Sequence, residues 1–193
     1  IFSVPFCLLA GVPPKPSPPR LVNDFAAMLT QEEASLLEQK LVAFNDSTST
    51  QITVVTITSL DGYDIDDLAQ RIGQEWKVGQ KEFDNGIVIL IKPKNGNEKG
   101  LAAISTGYGM EDIIPDAIAR RIVDNEMIPF FKQNQNYSGI DAGVNIIMDL
   151  ASGKYKADKY AKKKSRPLGL IVPVIIIIII AMLFGRNGNN RHH

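Results

Sequence analysis

Gly86-Ile87-Val88-Ile89-Leu90-Ile91-Lys92 is the stretch that decides the fold. Its interior is wholly apolar and mostly β-branched, and it is too short for a helix. Bounded by turn residues, such a run reads as a strand buried on both faces. Pro93-Lys94-Asn95-Gly96-Asn97-Glu98-Lys99-Gly100 follows as a hairpin loop, and Gly100 to Ser105 returns antiparallel. Upstream, Gln51 to Ser59 is dense in Ile, Val and Thr, with apolar residues on both faces, and reads as another central strand. Between the two, Leu60-Asp61-Gly62-Tyr63 turns the chain. Asp64 is suited to cap a helix that carries Ile65, Leu68, Ala69, Ile72 and Trp76 on one face, with Gly79 stopping it. Strand–helix–strand with this burial pattern implies a parallel pair joined by a right-handed crossover.

The flanks supply more helices. Thr30-Gln31-Glu32-Glu33 is a capping box, followed by Leu36, Leu37, Leu41 and Phe44 at helical spacing. Asn45 to Thr50 is a polar break. Pro115 suits the first position of a helix running to about Met127, and Ser138 is read as the N-cap of another that includes Ile140, Val144, Ile147 and Leu150. The expectation is an α/β fold: a three-layer α/β/α sandwich over residues 21–153. Its mixed central sheet holds a parallel βαβ pair plus an antiparallel strand.

An apolar segment lies at or near each end. Residues 1–11, Ile1 to Gly11, resemble the second half of a secretory signal. Cys7 is the only cysteine, which excludes an internal disulfide, and it precedes Leu-Leu-Ala-Gly where a lipidated cysteine would follow such residues. Residues 12–20 contain five prolines and read as a stiff extended linker. Residues 154–167 form a basic juxtamembrane linker, with seven basic residues and one acid between Lys154 and Arg166. Leu168 to Phe184, with six consecutive isoleucines and no polar stripe, is long enough for a short transmembrane helix, and residues 185–193 are a polar tail. The basic cluster before the span favours a cytoplasmic body by the positive-inside bias. A cleaved signal favours the opposite side, and the signal is given priority, which puts the domain on the extracytoplasmic, periplasmic side. The overall balance of 21 basic against 21 acidic residues gives nucleic acid no general attraction.

Two loops hold the candidate chemistry. Phe83-Asp84-Asn85-Gly86 enters the buried strand, and Thr106-Gly107-Tyr108-Gly109-Met110-Glu111-Asp112 leaves the returning one. The hairpin between those strands brings both loops to one end of the sheet. Asp84, Asn85, Glu111 and Asp112 then offer hard oxygens suited to Ca²⁺ or Mg²⁺, with Asp116 at the next helix start and Asp24 approaching from the first segment. Asp61, Asp64, Asp66 and Asp67 form a second acidic group, in which Asp64 and Asp67 are explained better as a helix cap and a first-turn charge than as part of a second ion site. The only histidines are His192 and His193, so no His-based triad can form in the domain. There is no Walker-type phosphate loop.

Val22-Asn23-Asp24-Phe25-Ala26, Gln51 to Thr56, Trp76-Lys77-Val78-Gly79, Asp84-Asn85-Gly86, Gly107-Tyr108-Gly109-Met110-Glu111, Ile128-Pro129 and Tyr137-Ser138-Gly139-Ile140 occur in an order and spacing spread over about 130 residues. Together they resemble the TPM domain. That family is named for a thylakoid lumen protein, a photosystem II accessory protein and a nematode receptor modulator. Phe83 departs from the plant members, which carry a second Asp there. The resemblance implies an exported or lumenal domain with a divalent-ion site, usually Ca²⁺, and bacterial members often have a signal in front and one span behind. The chloroplast member is associated with acid phosphatase activity. Three readings follow. One is a membrane-anchored module that binds a divalent cation, Ca²⁺ with Mg²⁺ as the alternative, and acts through contacts with a membrane-protein partner. Another is a metal-dependent acid phosphatase using Ser105 or Thr106 to contact phosphate. The third is a structural spacer.

Overall fold

The computed structural model describes residues 11–162. Four strands form one sheet in the order β1-β2-β3-β4: β1 Val22–Asp24, β2 Gln51–Thr56, β3 Gly86–Lys92 and β4 Leu101–Thr106. The first three are parallel, with Asp24 level with Thr56, and Gln51 level with Gly86. β4 is antiparallel to β3, with Ile87 opposite Thr106 and Lys92 opposite Leu101. The expected βαβ pair and returning strand are therefore present, and β1 adds a further parallel strand.

The period of two along β3 sorts its side chains between two cores. Ile87, Ile89 and Ile91 face one way, onto α1 (Gln31–Thr48), α3 (Asp116–Ile122) and α5 (Asn136–Ala151). Val88 and Leu90 face the other way, onto α2 (Ile65–Trp76). Helices cover both faces, which makes the three layers. All seven residues of β3 are buried, as a central strand between two helical layers requires.

Local chemistry explains most boundaries. Thr30 Oγ1 accepts from the Glu33 amide, and the Glu33 carboxylate accepts from the Thr30 amide, closing the capping box. Asp64 caps α2 through the Asp66 amide. α2 ends at Trp76 because Lys77 turns left-handed, ahead of Gly79 at φ +92°. Pro115 is the N-cap of α3, one residue before the position expected. A π-helical turn, Val123–Met127, then leads into the short α4, Ile128–Phe131. α5 starts at Asn136 with no side-chain cap, so Ser138 lies inside the helix and does not cap it.

Two segments read as linkers pack onto the domain. In the proline-rich stretch, Val12 packs against the α2 core, the Pro13 carbonyl accepts from the Trp76 indole N–H at 2.8 Å, and Lys15 donates to the Trp76 carbonyl. Residues 12–15 thus form a strap over the end of α2. Within residues 154–167, Ala157–Lys162 forms α6. Its Tyr160 is buried, donates to Glu126 at 3.2 Å and meets Tyr155 edge-on. Two tyrosines among the lysines give this basic segment an apolar side that the sequence composition hides. Burial, reinforced by the Glu126 carboxylate, raises the Tyr160 phenol far above its ordinary pKa. Among the described residues no helix is long and apolar enough to cross a membrane. The segment Leu168 to Phe184 and nearly all of residues 1–11 lie outside the described residues.

Candidate functional site: a clasp of two loops

The loops before β3 and after β4 are held together by main-chain bonds. Gly107 N–H donates to the Gly86 carbonyl at 2.8 Å, and Gly109 N–H to the Asp84 carbonyl at 3.1 Å. Asp84 adds its side chain: Oδ2 accepts from the Tyr108 amide at 3.1 Å. Its backbone is left-handed, at φ 46°, which a short polar side chain tolerates. The approach leaves no space for side chains. A Cβ on Gly109 would lie 1.9 Å from the Phe83 carbonyl oxygen, and one on Gly86 would lie 2.0 Å from the Val78 carbonyl oxygen. Glycine at both positions is therefore a packing requirement.

The predicted residues do not all converge. Asp84 sits in the clasp and is exposed. Glu111, Asp112 and Asp116 follow the second loop, all exposed, the last opening α3. Asn85 is nearly buried, and its amide is committed. Oδ1 accepts from Gln80 N–H and Nδ2 donates to the Ser49 carbonyl, both at 2.8 Å, tying the turn to the α1–β2 connection. Asp24 is at the opposite end of the sheet. β1 runs parallel to β2, so Asp24 lies level with Thr56 and not with Gly86. Its carboxylate accepts from the Met28 and Leu29 amides and from the Thr56 hydroxyl, which shapes the β1–α1 loop. Thr106 donates to the Ile114 carbonyl at 3.4 Å, linking the end of β4 to the approach to α3.

Ca²⁺ takes about six to eight oxygens at roughly 2.3–2.6 Å. Asp84, Glu111, Asp112 and Asp116 fit such an ion in chemistry. In arrangement they are not preassembled: among the described residues, no three acidic, His or Cys side chains converge on one ion position. Asp24 lies at the other end of the sheet, and the Asn85 side chain is bonded to Gln80 and Ser49.

Sequence reading overlooked a groove of about 1370 Å³ along β4. It is larger than the roughly 300–1,000 Å³ usual for small-ligand pockets. Ser105, Thr106, Glu111 and Asp116 line it, together with Asp66 and Asp67 of α2, Arg120 of α3 and Asp124. Asp66 and Arg120 approach to 3.7 Å, joining helices from opposite faces around the sheet edge. Both side chains are well exposed, so the pair is a weak latch. At the other end of the groove, Glu98 pairs with the buried Lys92 at 2.6 Å. That lysine holds the Glu98 carboxyl below its ordinary pKa, chiefly by the direct hydrogen bond. The signal available in sequence was the uncharged run Leu101-Ala102-Ala103-Ile104-Ser105-Thr106 on a strand with only one sequence neighbour to pair with.

A mixed sheet between helical layers, with a glycine-lined clasp at one end, defines the class of protein. The TPM domain model matches residues 22–150, about two thirds of the chain, and the chain belongs to that family. Among solved structures, it is similar to the N-terminal domain of a P. gingivalis protein, with 26% identity over 70% of this chain and 83% of that one, at a TM-score of 0.60. The BA42 protein of the psychrophilic bacterium Bizionia argentinensis matches at 20% identity, covering 75% and 92% of the two chains, with a TM-score of 0.54. The N-terminal domain of the cg2496 protein of Corynebacterium glutamicum matches at 15% identity over 90% of each chain, with a TM-score of 0.52. The last two show the fold alone. No curated protein matches the chain.

Proposed function

We propose that this TPM domain is a membrane-anchored, extracytoplasmic module that binds a divalent cation, Ca²⁺ in preference to Mg²⁺. It acts through protein contacts at the membrane, in the assembly or maintenance of membrane-protein complexes. The observation that carries the cation reading is the clasp. Asp84 is oriented by the Tyr108 amide, and Glu111, Asp112 and Asp116 follow within one short exposed segment. A hard cation would draw that segment toward Asp84 and neutralise the carboxylates. The apolar run Leu168 to Phe184 behind the domain supports the anchor. Titrating Ca²⁺ into the chelator-treated protein should move the amide resonances of residues 84 and 107–116, and leave Asp24 and its loop unmoved. Saturation at about a hundredfold excess over Kd should add about 2.7 kcal/mol to stability. A silent titration at millimolar Ca²⁺ rejects the reading.

One observation favours a second reading, a metal-dependent phosphatase. Ser105 and Thr106 line the same groove as Glu111 and Asp116. The protein should then release phosphate from a phosphomonoester, with a loss of at least about a hundredfold on Asp116→Asn if a bound metal carries the chemistry. Turnover unaltered by that substitution would trace the activity to a contaminant.

A further inference from the structure

We propose that the outer edge of β4 is a docking strand for another polypeptide: an extended segment bearing Lys or Arg, which adds as a fifth strand in the groove between α2 and α3. This rests on the reading of a module acting through protein contacts, and it names the contact surface and the partner's chemistry.

β4 ends the sheet, with β3 on one side only. The Gly107-to-Gly86 bond sets the antiparallel alternation. Leu101, Ala103 and Ser105 turn their main-chain groups to β3, and Ala102, Ile104 and Thr106 turn theirs outward. That row of N–H and C=O groups is a template for another strand. Edge strands are commonly blunted by charge, proline or a bulge. Leu101 to Thr106 has no charged residue and no proline, and its pairing with β3 is unbroken. All six residues line the groove, with Ala103 and Ile104 themselves buried.

The charges choose the occupant. Glu111 and Asp116 lie beyond the Thr106 end, and Asp124 lines the same groove. None of these three has an ion pair among the described residues. Lys94 and Lys99 stand in the hairpin at the Leu101 end. Asp66, Asp67 and Glu98 also line the groove, against Lys94, Lys99, Arg120 and Lys132, so acids outnumber basic residues by six to four. An extended segment fits when its basic side chains lie by Glu111 and Asp116. The Arg120–Asp66 latch crosses the edge and must open for the strand to enter.

The test uses the full-length chain in detergent micelles with EDTA throughout. A random nonapeptide library displayed on phage is panned against it, and the best binder is titrated into isotope-labelled protein. Enriched peptides should carry Lys or Arg and lack proline. The Ala102, Ile104 and Thr106 amides should shift and gain exchange protection, while those of Leu101, Ala103 and Ser105 stay protected throughout. N-methylation of alternate peptide amides should abolish binding. Asp124→Lys should weaken binding, and Arg120→Ala should tighten it, each by about two- to fivefold. Strand addition is overturned by any one of four results: no enriched peptide, unmoved β4 amides, equal binding of the N-methylated peptide, or a β4–β4 dimer occupying the edge. Binding in EDTA beside a silent Ca²⁺ titration would remove the cation reading and leave strand addition standing. The converse would remove strand addition alone.

Discussion

Replacing Trp76 with alanine is expected to cost about 3–5 kcal/mol of stability, the range for truncating a large buried aromatic. Trp76 is 3% exposed and sits in the core between α2 and the sheet. It meets Phe25 edge-on, with ring centroids 6.5 Å apart, and its indole N–H holds the Pro13 carbonyl. A domain of this size has about 5–15 kcal/mol in total, so the loss takes about a fifth or more of it. The strap at residues 12–15 should detach as well, because one of its partners is gone. Trp76→Phe separates the terms: it keeps most of the bulk and loses the N–H, at about 1 kcal/mol for the hydrogen bond. Trp76 is the only tryptophan, so circular dichroism must follow the denaturant melt in place of intrinsic fluorescence. A loss below about 1 kcal/mol in the alanine variant, or unchanged strap resonances, would mean that the indole is not the anchor described.

Gly109→Ala should spring the clasp. The new methyl would stand 1.9 Å from the Phe83 carbonyl oxygen, and main chain cannot swing aside as a flexible side chain can. Overpacking of this kind costs about 1–3 kcal/mol, and more where the neighbour is rigid. The damage should be local: amide shifts in residues 83–86 and 107–112, with the α1–α5 interface, marked by the 2.6 Å Lys40–Asp141 pair, unaffected. Any cation response should vanish with it, since Asp84 loses its alignment. Wild-type melting and wild-type loop resonances in the Gly109→Ala variant would refute the close approach.

These two substitutions also mark where sequence reading succeeds. The β2–α2–β3–β4 unit was legible because burial on both sheet faces leaves a continuous apolar run in β3, and because Asp64 and the face of α2 ending at Trp76 follow helical rules. The convergence of the 84–86 and 107–112 loops followed from hairpin geometry alone. β1 was not legible. Val22–Asp24 is too short to show a period, and it is held by Glu38 of α1, which accepts from the Leu21 and Val22 amides. Without β1, the end of the sheet that receives Asp24 could not be known. The inward placement of Asn85 was not legible for another reason. A turn asparagine that faces solvent and one that reaches inward to Ser49 are identical in sequence, and only the α1–β2 connection decides between them. Ser138 is similar: its type suits a cap, but α5 begins two residues earlier, where the Asn136 side chain reaches across to the Met28 carbonyl.

The order β1-β2-β3-β4 is also the order of the strands along the chain. Each strand can therefore pair with one already synthesised, and none has to be inserted between two others. A chain emerging from its N-terminal side can assemble this sheet by accretion, holding at each stage one unpaired boundary that the next segment covers. Accretion stops at β4, because the polypeptide that follows turns away into α3. The boundary left at that point is the same kind of surface that each earlier strand offered to its successor.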